Sequence, residues 1–271
     1  MGGCGTGLPF QTFVISLERA RQRRAHMDRL LRDLGMSAEF VSAVDGRALS
    51  AQQRSRYDAA KARIDYRAEM SDAEIGCYLS HYGLYERMCR EGIALALILE
   101  DDICAAPTLP QIVTELAGHP ERSWDVVRLQ TARRKVAEPE SAAAHGALVR
   151  PVRGGGLYRL DTHVLGGCGY LITLQGARTM LSFGARITRP IDQTLDRFWE
   201  NGIRPYVVRP FPIWQAPEIQ SEIAVRGRAV EGHGERMSDA WMGRAHRALD
   251  GVSKRLFLLR DRSVAMPIAL R

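Results

Sequence analysis

The chain has 271 residues, 45% hydrophobic and 25% charged, a composition that excludes a disordered polar tract and suffices for one large core. Five cysteines without a CxxC pair exclude a disulfide scaffold and predict structural thiols in a reducing compartment. The net charge of +7 is uneven: from Arg226 onward ten Arg or Lys stand against five Asp or Glu, a balance of +5, which leaves +2 for residues 1–225. That surplus fits contact with an anionic phospholipid, glycolipid or nucleic acid, and it equally fits a solvated face of a terminal helix. No apolar run reaches transmembrane length, and MGGCGTGLPFQTF lacks the charge and apolar core of a secretory signal, so the expected setting is the cytosol.

Phe13 to Leu17 predicts a first strand, and ERARQRRAHMDRLLRDLG a helix with Met27, Leu30, Leu31 and Leu34 on one face and Gly35 as its stop. Arg19, Arg21, Arg23 and Arg24 crowd its first turns, where cations are disfavoured. Either a nearby phosphate or plain solvation accounts for them. Glu39 to Val44 predicts a second strand closed by Asp45-Gly46, a turn dipeptide that sets a carboxylate at a strand end. Ala51 to Arg67 is polar and basic, a helix and loop. Ser71 and Glu74 form a capping box before an amphipathic helix with Ile75, Tyr78, Leu79, Tyr82 and Cys89 at helical spacing. Ser80 and His81 lie in that helix, where a lone histidine is ordinarily structural.

Ile93 to Ile103, IALALILEDDI, predicts a strand buried on both faces that ends in Glu100, Asp101 and Asp102. Alternation would point Glu100 and Asp102 one way and Asp101 the other. Two same-facing carboxylates suit a hard divalent cation, whereas an isolated EDD is also an ordinary solvated turn.

Pro107 to Ala117 reads as a helix and Trp124 to Gln130 as a strand. Residues 131–163 lack a period and contain Gly154-Gly155-Gly156, which predicts a long loop or irregular hairpin of the size of a lid. Gly166, Gly167 and Gly169 precede a strand from Tyr170 to Leu174 without the spacing of a dinucleotide fold. A helix from Gln175 to Phe183, Pro190-Ile191-Asp192, a helix through Trp199 and a strand from Tyr206 to Arg209 follow. Asp239 to Arg260 forms a last stripe of Trp241, Ala245, Ala248, Val252, Leu256 and Leu259, able to pack on the domain or lie in a membrane interface.

FVISLERARQRR, SAVDG, EIGCYLSH and LALILEDDI, in this order, resemble glycosyltransferase family 25, which includes the lipooligosaccharide galactosyltransferases of Gram-negative bacteria. WDVVRL, GYLITLQGARTML, PIDQTLD and a late SEI extend the resemblance over residues 12–225, leaving 226–271 as a basic, partly helical extension. The resemblance implies an α/β domain of the GT-A type, a central mixed sheet flanked by helices. It implies inverting transfer of a hexose, commonly galactose, from a UDP-sugar to a saccharide such as lipooligosaccharide core, with Mn2+ or Mg2+. By that resemblance Asp102 is the metal ligand with Glu100 assisting, and Asp101 contacts ribose or donor sugar. Arg23 pairs with diphosphate or uridine, Asp45 with Gly46 receives uracil or ribose, and Ser80 and His81 line the donor pocket. Ser16 stands in the first strand of that pocket where the family usually has Asn. Asp192, in PID, is either the base that deprotonates the acceptor or a carboxylate that orients it, or else a helix N-cap. The implied location is the cytoplasm, peripherally on the inner membrane's cytoplasmic face. The competing reading is a basic nucleic-acid- or membrane-binding protein without transferase activity, although no nucleic-acid motif is present.

Overall fold

The computed structural model describes residues 10–119, 122–132, 146–219 and 250–259. In chain order the elements are β1 Gln11–Ser16, α1 Arg21–Asp33, β2 Glu39–Ser42, α2 Ala51–Ser55, α3 Ala59–Asp65, α4 Asp72–Glu91, β3 Leu95–Glu100, β4 Ile103–Ala105 and α5 Leu109–Gly118. They continue with β5 Val126–Arg128, β6 Leu148–Val152, β7 Gly155–Arg159, β8 Gly169–Thr173, α6 Leu174–Phe183, α7 Ile191–Leu195, α8 Phe198–Asn201, β9 Pro205–Arg209 and β10 Ile213–Gln215. A last helix, α9, spans residues 250–259.

Eight strands form one mixed sheet in the order β2-β1-β3-β8-β5-β9-β7-β6, and β4 pairs with β10 apart from it. β1 runs parallel to β2 and β3, and β5 parallel to β9, whereas β8 is antiparallel to both β3 and β5. The carboxyl ends of β1, β3 and β5 therefore share one edge with the amino end of β8. Ligands of open α/β sheets bind at that edge, where strand order reverses.

β3 explains why the sheet has three layers. Leu95, Leu97 and Leu99 join α1 and α5 residues on one face, and Ala96 and Ile98 join α4 and α6 residues on the other. All five are at most 1% exposed. Each buried leucine contributes about 2 kcal/mol, and the double-sided burial is what the unbroken apolar run anticipates.

α4 carries the expected capping box, Ser71 accepting from Glu74 N while the Glu74 carboxylate accepts from Ser71 N at 2.7 Å. It ends at Gly92, whose left-handed φ of 68° turns the chain into β3. Helix and loop at 51–67 resolve into α2 and α3, and the unpatterned insert contains the β6–β7 hairpin, which extends the sheet through β9. Residues 133–145 of that insert lie outside the described residues.

Three sequence expectations change. The single strand through Ile103 stops at Glu100, because residues 101 and 102 form a turn before β4. The helix through Trp199 is two short helices, α7 and α8, broken at residues 196–197. Asp192 does not cap α7; Pro190 does, and Asp192 lies in the first turn.

The described part of the C-terminal extension packs on the domain. Arg197 Nη1 donates to Asp250 Oδ2 at 2.7 Å, Phe257 meets Phe198 at a 5.7 Å centroid distance, and Lys254 stands over the Trp199 ring. Val252, Leu256 and Leu259 of the expected stripe face outward, 54–63% exposed. Trp241, Ala245 and Ala248 lie outside the described residues, as does SEI at 221–223.

Candidate active site

The turn at 101–102 replaces the alternation expected of an extended chain. Both aspartates face α1: Arg23 Nη2 lies 2.5 Å from Asp101 Oδ1 and 3.1 Å from Asp102 Oδ2. Ser16, at the end of β1, donates to Asp101 Oδ2 at 2.6 Å. Gln215, from β10, donates to Asp102 Oδ2 at 3.2 Å, and Ala216 N donates to the Asp102 carbonyl. Of the four arginines at the start of α1, Arg23 and Arg19 thus meet carboxylates of the protein itself, and Arg24 stands over the Phe40 ring.

Asp102 is 2% exposed, and its Oδ1 has no hydrogen-bond partner. Burial, reinforced by the Glu100 carboxylate and opposed by Arg23, pushes its pKa up to about 6. Asp101 is raised also, by burial, with Ser16 and Arg23 pulling it back. A buried acceptor without a donor, in a field of surplus negative charge, has the chemistry of a cation ligand, so Asp102 fits the divalent ion that the family resemblance implies.

Glu100 turns elsewhere. Its Oε1 lies 3.4 Å from His81 Nε2 and 3.9 Å from Cys77 Sγ. His81 is wholly buried, and its Nδ1 contacts Tyr170 Oη at 2.7 Å, which in turn contacts Tyr85 Oη at 2.6 Å. Cys77, four residues before His81 on the same face of α4, is a thiol pushed well above its ordinary range by burial and by Glu100.

A glycine loop faces this group. A Cβ on Gly167 would lie 3.5 Å from Glu100 Oε1 and 3.9 Å from Asp192 Cβ, so the loop lies between those two acids. Asp192 Oδ2 accepts from Gly166 N at 2.8 Å and Oδ1 from Gln193 N. Asp196, one turn on, accepts from Val164 N and Leu165 N at 2.9 and 2.7 Å. Leu165 has φ 58° and Gly166 φ 78°, a left-handed pair that these carboxylates hold. Arg128, at the end of β5, completes the clamp: Nη1 donates to Asp196 Oδ1 at 2.8 Å and Nη2 to the Gly166 carbonyl.

The remaining expected residues serve the frame. Asp45 accepts from Arg47 N, which starts a 3-10 turn, and pairs with Arg19 at 3.4 Å. Its hydrogen bonds and ion pair run to Arg47 and Arg19. Ser80 donates to the Gly76 carbonyl at 2.7 Å and accepts from Val44 N at 2.8 Å, tying the strand-end loop to α4. Gly46 is a packing residue, since a Cβ there would fall 2.2 Å from the Asp72 carbonyl oxygen.

The profile of "Glycosyltransferase family 25 (LPS biosynthesis protein)" matches residues 10–195. The chain belongs to glycosyltransferase family 25. A "Glycosyltransferase 25 family member" of Aedes aegypti is 32% identical over 175 residues, 62% of this chain and 27% of that protein. "Procollagen galactosyltransferase 2" of Homo sapiens is 27% identical over 68% of this chain and 29% of its own length, and "Probable inactive glycosyltransferase 25 family member 3" of Rattus norvegicus is 30% identical over 74% and 37%. The chain thus spans 27–37% of the length of these relatives. Among solved structures, a glycosyltransferase involved in glycosylation of the major capsid of PBCV-1 overlays with a TM-score of 0.38 at 9% identity, over 73% of this chain and 80% of that one.

The family match runs from β1 to the end of α7, so it contains Ser16, Arg23, the acidic triplet, the α4 residues and Asp192. Arg128, Asp196, Cys77 and Gln215 escaped the sequence reading of this family 25 chain. Two of them carried a signal: Arg128 is a lone cation in the apolar strand WDVVRLQ, and Cys77 precedes His81 by one helical turn.

Proposed function

We infer that this family 25 chain is a GT-A type catalytic domain that transfers a hexose, galactose, from a UDP-sugar to a saccharide hydroxyl with inversion. The observation that carries this reading is the buried, unpartnered Oδ1 of Asp102 at the carboxyl end of β3. Charge has to be stabilised as the diphosphate departs, and a divalent cation, manganese or magnesium, supplies that as a Lewis acid when bound. Asp102 would hold it, with Glu100, the last residue of β3, able to assist.

Arg23 supplies the complementary charge. Its guanidinium has an unpartnered buried Nε, and the fork suits bidentate binding of phosphate oxygens. Asp101, fixed by Ser16, orients ribose or donor sugar; the Asp45–Gly46 loop, which Ser80 ties to α4, borders the nucleoside side. His81 Nε2 lies 3.4 Å from the Glu100 carboxylate. Asp192 takes the acceptor proton: each of its oxygens accepts one backbone N–H and keeps capacity for a second donor. The acceptor we propose is a glycolipid saccharide such as lipooligosaccharide core, met at the cytoplasmic face of an inner membrane through the basic extension.

The test is a thermal-shift panel of UDP-, GDP- and CMP-sugars with and without manganese, followed by a transfer assay of the responding sugar. Selective stabilisation by UDP-sugar with metal, and transfer lost in Asp102→Asn, are expected. Undiminished turnover in Asp102→Asn would sink the assignment. A catalytically silent family member is the second reading, favoured by the name "probable inactive" of the rat relative and by Arg23 already pairing with Asp102. Silence predicts no melting response to UDP and manganese.

A further inference from the structure

The geometry points to a second cation site, distinct from the Asp102 carboxylate: Cys77 Sγ, His81 Nε2 and Glu100 Oε1 form a three-ligand site for a borderline-soft transition metal, Zn2+. The three donor atoms lie within 4.8 Å of one another. Tetrahedral zinc with nitrogen and oxygen ligands at 2.0–2.2 Å sets those donors about 3.3–3.6 Å apart, and a thiolate at 2.3 Å gives a sulfur–oxygen edge of about 3.5–3.7 Å. The corresponding separations are 3.4 Å for His81 Nε2 to Glu100 Oε1 and 3.9 Å for Cys77 Sγ to the same oxygen. Both are long for direct hydrogen bonds and close to the edges of a coordination tetrahedron.

The surroundings are those of a ligating histidine. Nδ1 of His81 is engaged by Tyr170 Oη at 2.7 Å, itself backed by Tyr85 Oη at 2.6 Å. Such an outer contact orients the ring and leaves Nε2 directed at Glu100 as the available coordinating atom. In the tautomer with the proton on Nδ1, donated to Tyr170 Oη, the Nε2 lone pair is free to bind a cation placed between it and the Glu100 carboxylate. Cys77 and His81, at i and i+4, present their donors from one face of α4. His81 is buried, whereas Cys77 and Glu100 are partly exposed.

The nitrogen–sulfur–oxygen set favours zinc over magnesium or manganese, which prefer all-oxygen ligands. On binding, the Cys77 S–H bond breaks, the thiolate coordinates and the proton passes to solvent. This site does not depend on the transferase reading, and its test reads metal in place of turnover.

The full chain, stripped with chelator, is titrated with Zn2+ and with Co2+ as a spectroscopic substitute. One equivalent should bind, with a thiolate-to-cobalt charge-transfer band and one proton released above neutral pH. Zn2+ affinity should fall about 100-fold or more in Cys77→Ser and in His81→Gln and stay within threefold in Asp102→Asn. No charge-transfer band in the wild-type chain at one equivalent overturns the site, even where a variant fails to fold. So does zinc binding that survives Cys77→Ser, or that is lost in Asp102→Asn alone.

Discussion

Arg23 Nη2 lies 2.5 Å from Asp101 Oδ1 and 3.1 Å from Asp102 Oδ2, so one guanidinium bridges two buried carboxylates at the end of β3. Removing it leaves both without a counter-charge. Arg23→Met should cost about 2–4 kcal/mol in urea unfolding at pH 7, below the figure for a fully buried pair because the Arg23 side chain is 19% exposed. Arg23→Lys, which keeps the charge and loses the fork, should fall between. A loss under 0.5 kcal/mol in the methionine variant would mean the cluster is already screened by water.

Asp102 predicts a pH dependence of defined sign. Its folded pKa, about 6, stands above the ordinary 3.8, so the native state binds the proton more tightly than the unfolded chain. The stability this contributes is complete below about pH 4 and is lost as pH rises through about 6, on the order of 2–3 kcal/mol in all. Asn imitates the protonated carboxyl. With chelator present, Asp102→Asn should therefore be more stable than the parent at pH 7, the gap closing toward pH 4. Parallel stability curves from pH 4 to 7 would refute the assignment.

These two cases show what the sequence could and could not convey. The double-sided apolar run of β3, the α4 capping box and the position of EDD at a strand end are local facts, and each appears in the fold. The facing of the three acids was not legible, because alternation holds only while the chain stays extended, and it leaves the extended state after Glu100. Ser80 and Gly46 carried a family signal whose visible use is packing: one satisfies Val44 N, the other admits the Asp72 carbonyl. Arg128 and Asp196 are 68 residues apart, and no periodicity relates residues that only tertiary folding brings together.

The Arg128–Asp196 pair is 1% and 0% exposed and organises the glycine loop. Burial pushes the Asp196 carboxyl up, and Arg128 with the Leu165 and Val164 N–H groups pulls it back. Arg128→Met and Asp196→Asn should each cost about 3–5 kcal/mol, because each leaves a buried polar partner uncompensated. The double variant should cost clearly less than the sum, a coupling that a double-mutant cycle in urea measures. Additive losses would show that the two side chains act on the loop separately.

Asp192 is the site's most divided residue, and kinetics separate its roles. It is half-buried; its Oδ2 holds Gly166 N at 2.8 Å, so a purely structural role is already visible. An amide oxygen can accept that same hydrogen bond and cannot take a proton. In Asp192→Asn the loop should therefore persist, with melting shifted by only a few degrees, while kcat falls about 10²–10⁴-fold and donor KM stays constant. Asp192→Ala removes the acceptor too and should lower both melting temperature and kcat. If Asp192→Asn keeps kcat within threefold of the parent while Asp192→Ala loses stability, the carboxylate is a loop clamp alongside Asp196, and the proton of the acceptor hydroxyl leaves by another group.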